Sequence, residues 1–118
     1  MIKFPKQSKP RIAIDFDMVV CNKDQNLIED AQESLIELHR KWYVIIFTAR
    51  TDHKQVKQWL QEHDCRFDEI TNIKPNNIAF WVDDHGIRFE NWKQTLEDIK
   101  RLDSEYQCMK SLTNSKKR

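Results

Sequence analysis

The apolar signals in this chain are short, and each of the strongest closes on a polar or acidic residue. Arg11-Ile12-Ala13-Ile14-Asp15-Phe16-Asp17 opens with an apolar run too brief for a helix and reads as a buried strand. From Ile28 to Arg40, apolar residues fall at Ile28, Ala31, Leu35 and Leu38, the spacing of one helical face. Trp42 to Phe47 is continuously apolar and aromatic and ends at Thr48, which predicts a second strand buried on both sides. Asp52, with Gln55 three residues later, predicts a capped helix that carries Val56, Trp59 and Leu60 on one face up to about Asp64. A weaker strand is expected from Phe67 to Ile73 and a stronger one from Ile78 to Val82. The last helix is expected from Asn91 to about Met109, with Trp92, Leu96, Ile99 and Tyr106 inward.

The resulting order, βαβαββα, belongs to the α/β class. It predicts right-handed crossovers and a single doubly wound, Rossmann-like, mainly parallel sheet with helices on both faces. A length of 118 residues suits one such domain. Residues 1–10, with Lys3, Lys6, Lys9, Pro5 and Pro10, form a polar lead-in; residues 11–109 carry the pattern; residues 110–118 lack periodicity and read as a disordered basic tail.

Composition removes several classes. With a formal net charge of +1, no field of one sign spans the protein, so composition alone makes no case for nucleic acid or membrane. No run approaches the roughly 18 apolar residues of a membrane span, and Met1-Ile2-Lys3-Phe4-Pro5 lacks a signal-peptide core, so a cytoplasmic protein without a membrane partner is expected. Cys21, Cys65 and Cys108 are odd in number and widely spaced, which suits reduced thiols better than a disulfide framework, although two of them could pair. These cysteines and the four histidines show no paired zinc spacing. The single glycine, Gly86, excludes glycine-rich phosphate loops.

In parallel sheets ligands bind beyond the carboxyl ends of the strands, so the residues that close each apolar run matter most. The first strand ends in Asp15 and Asp17, whose spacing points both carboxylates to the same side of an extended chain. The second ends in Thr48, and the strand from Ile78 ends in Asp83-Asp84. Carboxylates gathered at one edge repel, and a hard divalent cation such as Mg²⁺ is their natural compensation. Such an ion also lets a carboxylate approach a phosphoryl group, with Lys74 and the Thr48 hydroxyl as donors to its remaining oxygens. The bland alternatives are a turn-capping Asp83-Asp84, a solvated Lys74 with Lys54 and Lys57 as competitors, and Thr48 as a simple strand terminus. Arg50 and His53 are candidates for substrate phosphate or for an exposed loop. The four tryptophans, Trp42, Trp59, Trp81 and Trp92, fall at core-like phases and read as packing.

These stretches resemble, in order and over roughly residues 11–92, the four motifs of the haloacid dehalogenase (HAD) superfamily. Ile12-Ala13-Ile14-Asp15-Phe16-Asp17 looks like its first motif, Val44-Ile45-Ile46-Phe47-Thr48-Ala49-Arg50 its second, Lys74-Pro75 its third, and Phe80-Trp81-Val82-Asp83-Asp84 its fourth. The resemblance implies a hydrolase, a magnesium-dependent phosphatase in which Asp15 is the nucleophile and forms an aspartyl-phosphate. Asp17 would act as general acid and then general base, and Thr48, Ala49, Arg50 and Lys74 would bind phosphate. Metal binding would fall to Asp15, the backbone carbonyl of Asp17 and Asp84, with Asp83 in support. Asp83-Asp84-His85-Gly86-Ile87-Arg88-Phe89 further resembles small hydrolase-like members in which an acidic pair precedes a short apolar strand. Members commonly have Gly after the second aspartate, where this chain has Met18, and a position that needs φ > 0 makes a methionine costly. His85 stands where arginine is common in the small members.

A phosphorelay receiver domain also uses an acidic pocket, Thr and Lys, but its acidic pair comes first and here the doublet comes last. About ten residues, Met18 to Leu27, separate the first strand from the first helix, and one helix and one strand fill the interval from Thr48 to Lys74, so no cap domain fits. A capless site favours a large phosphorylated substrate, or a partner subunit such as a second copy. The rival readings are a catalytically weak or inactive HAD-like binding module, suggested by Met18, and a nucleic-acid end-processing phosphatase, suggested by the basic ends at Lys3 to Arg11 and Lys110 to Arg118.

Overall fold

The computed structural model describes the backbone of residues 9–75, 78–83 and 87–116, and the side chains of those residues apart from 83 and 105–116. The elements in chain order are β1 (Arg11–Asp15), α1 (Ala31–Lys41), β2 (Tyr43–Phe47), α2 (His53–Glu62), β3 (Glu69–Thr71), β4 (Ile78–Asp83), β5 (Ile87–Arg88) and α3 (Trp92–Lys116). The strands form one sheet in the order β3-β2-β1-β4-β5, and every neighbouring pair is parallel. The expected α/β class and parallel sheet are therefore present, with the two-residue β5 added to the expected order. No described helix is long and apolar enough to cross a membrane.

Element boundaries move for identifiable reasons. Helix α1 begins at Ala31 rather than Ile28 because Asp30, at φ 66, makes a left-handed turn just before it. Helix α2 starts as its capping pattern requires, with Asp52 Oδ1 accepting from the Gln55 amide at 3.1 Å. The Asn91 side chain does the same for α3, accepting from the Gln94 amide at 2.8 Å. Helix α3 then continues to Lys116 instead of stopping near Met109, so residues 110–116 are helical rather than a structureless tail. No proline or glycine lies between Trp92 and Lys116, and nothing in the backbone chemistry halts the helix there.

Side-chain alternation sorts the sheet into two unlike faces. Ile12, Ile14 and Phe16, Val44 and Ile46, and Phe80 and Val82 enter one cluster with Leu35 and Leu38 of α1, Val56 and Leu60 of α2, and Trp92 and Ile99 of α3. All three helices thus cover the same face, which corrects the expectation of helices on both. The crossovers explain it. The steps β1 to β2 and β2 to β3 run in one direction across the sheet, so right-handed connections place α1 and α2 together. The return from β3 to β4 would place a helix on the opposite face, but residues 72–77 are too few to build one. That opposite face carries the alternate residues, among them the fully buried Ala13 and Ile45. Asp15, Phe47 and Trp81 share its parity.

Candidate active site

The register fixes where the closing residues fall. Asp15 pairs with Phe47, one residue before Thr48, and Ile14 pairs with Val82, one residue before Asp83. Asp15, Thr48 and Asp83 therefore stand at the carboxyl ends of three adjacent strands, with Asp15 in the middle. The chain leaves β1 toward β2 first and returns to its other side only as β4, so this edge is also where the strand order reverses.

Strand β1 stops at Asp15, and the extended alternation expected to reach Asp17 stops with it. Phe16 remains fully buried on the helix side, edge-on to Trp59 with ring centroids 5.2 Å apart. Asp17 is exposed and bridges to Cys21 in a turn. Its Oδ1 accepts from Arg50 Nη2 at 2.7 Å, and Arg50 Nη1 donates to Gln25 Oε1 at 3.0 Å. The Arg50 guanidinium also lies over the Phe16 ring, 5.0 Å from its centroid. Its hydrogen bond to Asp17 raises the Arg50 pKa above its ordinary value. One arginine from the segment after β2 thereby ties together the turn that follows β1.

Thr48 is 2 % exposed, and its Oγ1 accepts from the Arg50 amide at 3.1 Å. Ala49 lies exposed between them. Met18 has φ 66, the left-handed conformation that its position after the aspartates called into question, and its side chain is 58 % exposed. Its amide donates to the Cys21 carbonyl at 2.7 Å, which holds the turn closed despite the strained residue.

Trp81 is the residue that sequence reasoning placed wrongly. It is half-buried, and its Nε1–H donates to Asp15 Oδ1 at 3.5 Å. Phe47 meets it edge-on at 5.3 Å, and Lys74 Nζ lies over its ring, 5.6 Å from the centroid. Trp59, also half-buried, donates its indole N–H to the Gln25 carbonyl at 3.0 Å. Trp42 and Trp92 are buried packing residues, as expected. The overlooked signal was parity: Trp81 alternates with Phe80 and Val82, pairs with Ala13, and so faces the side of Asp15, not the helix-covered core.

The structure thus brings together Asp15, Trp81 and Lys74 on one side, and Asp17, Arg50 and Thr48 on the other. Asp84, His85 and Gly86 lie outside the described residues, as does the Asp83 side chain. Among the described residues no group of three or more His, Cys, Asp or Glu side chains gathers into a metal cluster. Cys21 and Cys65 are free and buried, and burial raises both thiol pKa values, that of Cys65 to about 11. Neither is poised as a thiolate at neutral pH. No protein-family model, curated protein or solved structure matches this chain.

Proposed function

We propose that this protein is a HAD-like, magnesium-dependent phosphomonoester hydrolase that works through a phospho-aspartate on Asp15. The observation that carries the reading is the register: a carboxylate, a hydroxyl and the Asp83 position end three adjacent parallel strands where the strand order reverses. The available donors are all oxygen, which fits Mg²⁺, an ion that usually takes one or two carboxylates and completes its shell with water and phosphate. Asp15, the Asp17 carbonyl and Asp84 would hold it, with Asp83 in support. When bound, the ion neutralises phosphate charge so that a carboxylate can approach phosphorus.

In this mechanism an Asp15 carboxylate oxygen forms a bond to phosphorus as the bond to the leaving alcohol breaks, and Asp17 delivers a proton to the departing oxygen. Asp17 then takes a proton from water, whose oxygen attacks the same phosphorus, releasing phosphate and restoring Asp15. Arg50 holds Asp17 in the resting geometry. A doubly charged phosphate is the stronger partner for a guanidinium, so substrate would draw Arg50 across and release Asp17 for proton transfer. Lys74 and Thr48 supply further donors.

The test is purified protein with Mg²⁺ and an aryl phosphate, followed by sugar phosphates, nucleotides and 3′-phosphorylated oligonucleotides. Turnover that disappears with EDTA and falls at least roughly 10³-fold in Asp15→Asn is expected. Wild-type protein inert on the whole panel would favour the binding-module reading, to which the strained Met18 lends its support.

A further inference from the structure

The two halves of the proposed phosphate site rest on very different supports. Asp15 ends the central strand of the sheet, whereas Lys74 is exposed on the irregular connection between β3 and β4. Trp81 touches both. Its N–H reaches Asp15 Oδ1 at 3.5 Å, and its ring lies under the Lys74 ammonium at 5.6 Å. Phe47, edge-on at 5.3 Å, limits how that ring can rotate. Tryptophan is the best aromatic surface for a cation and has one donor, so one side chain can orient an anion and a cation at once. The N–H contact is long, as hydrogen bonds at reacting groups often are before substrate binds.

We propose that Trp81 is the positioning residue of this site, orienting the Asp15 carboxylate through its indole N–H and holding the Lys74 ammonium beside it through its ring face. The kinetic consequence rests on the phosphatase reading; the two contacts do not. Trp81→Phe keeps a ring under Lys74 and removes the donor, so kcat falls about tenfold while KM stays within about twofold. Trp81→Leu removes both, so kcat falls about 100-fold and KM for an aryl phosphate rises about fivefold as Lys74 is released.

Two NMR observations test the contacts without turnover. The Trp81 indole proton moves upfield and exchanges faster with solvent in Asp15→Ala. The Lys74 side-chain methylenes lose an upfield ring-current shift in Trp81→Leu but keep it in Trp81→Phe. Thermal melts of each variant separate these effects from unfolding. An indole proton indifferent to Asp15→Ala, together with Lys74 methylenes indifferent to Trp81→Leu, overturns the proposal. Wild-type protein that shows both NMR signatures but turns over nothing overturns the phosphatase reading and leaves Trp81's role standing.

Discussion

The two ends of the sheet are built on different terms. At the amino ends of the strands, polar groups meet partners distant in sequence: Asp68 accepts from the Val44 amide at 2.7 Å and from His39 at 3.1 Å, and Tyr43 donates to Glu69 at 3.0 Å. Arg11 lies over the Tyr43 ring, and Lys41 pairs with the buried Asp103 of α3. At the carboxyl ends the contacts are of another kind. Asp15 has a long 3.5 Å contact to Trp81, the exposed Asp17 pairs with the half-buried Arg50, and the turn between β1 and α1 includes Met18 and Gln25 in left-handed conformations. One edge gives closed pairs that fasten strands and helices together. The other gives one long contact, a pair with an exposed carboxylate and a turn with two left-handed residues, which is what a ligand could displace or exploit, although Asp64 at φ 55 shows that the first edge is not wholly unstrained.

Three substitutions sharpen this contrast. The largest effect on stability is expected at Asp68. Asp68→Ala orphans the Val44 amide and removes the His39 partner, and together these cost about 3 kcal/mol, or roughly 12 °C in Tm. On the phosphatase reading, turnover per folded molecule should not change; a matching loss of kcat at temperatures where the variant is fully folded would erase the distinction between the edges.

Next in size is a pH effect at Cys65, between α2 and β3. The folded protein keeps the Cys65 proton to about pH 11 against an ordinary value of 9.0, so across that window the unfolded chain releases the proton first. Stability from this group is therefore complete below pH 9 and declines as pH rises toward 11, at about 1.4 kcal/mol per pH unit. Urea midpoints at pH 8 and pH 10.5 should differ more in wild type than in Cys65→Ala. Equal slopes for the two proteins count against it.

The smallest effect lies at the other edge and has the opposite sign. Met18→Gly relieves the left-handed residue and should raise stability by about 1 kcal/mol, roughly 4 °C in Tm. A melt at or below the wild-type temperature would show that the turn carries no strain.

Legibility from the sequence followed the same division. The strands and the Asp15, Thr48 and Asp83 positions could be read because each apolar run ends where its strand ends. The capping of α2 could be read because Asp52 and Gln55 are neighbours on the chain. What depended on distant neighbours could not. The pairing of Arg50 with Asp17 spans 33 residues, and the placement of Trp81 beside Asp15 spans 66. The one-sided layer of helices was implicit in the missing helix between β3 and β4, but the usual two-sided arrangement outweighed it. Met18 was the exception, since a local departure from glycine pointed directly to its backbone conformation.

The short return from β3 to β4 has one more consequence. Because the described helices all lie on the side of Ile14, the Asp15 side chain looks toward the side without them. On that side the described neighbours of Asp15 are the Trp81 indole, with Phe47 edge-on to it and the Lys74 ammonium over its ring. On the phosphatase reading, selectivity there would rest on charge and ring contacts and not on a wall built by a helix.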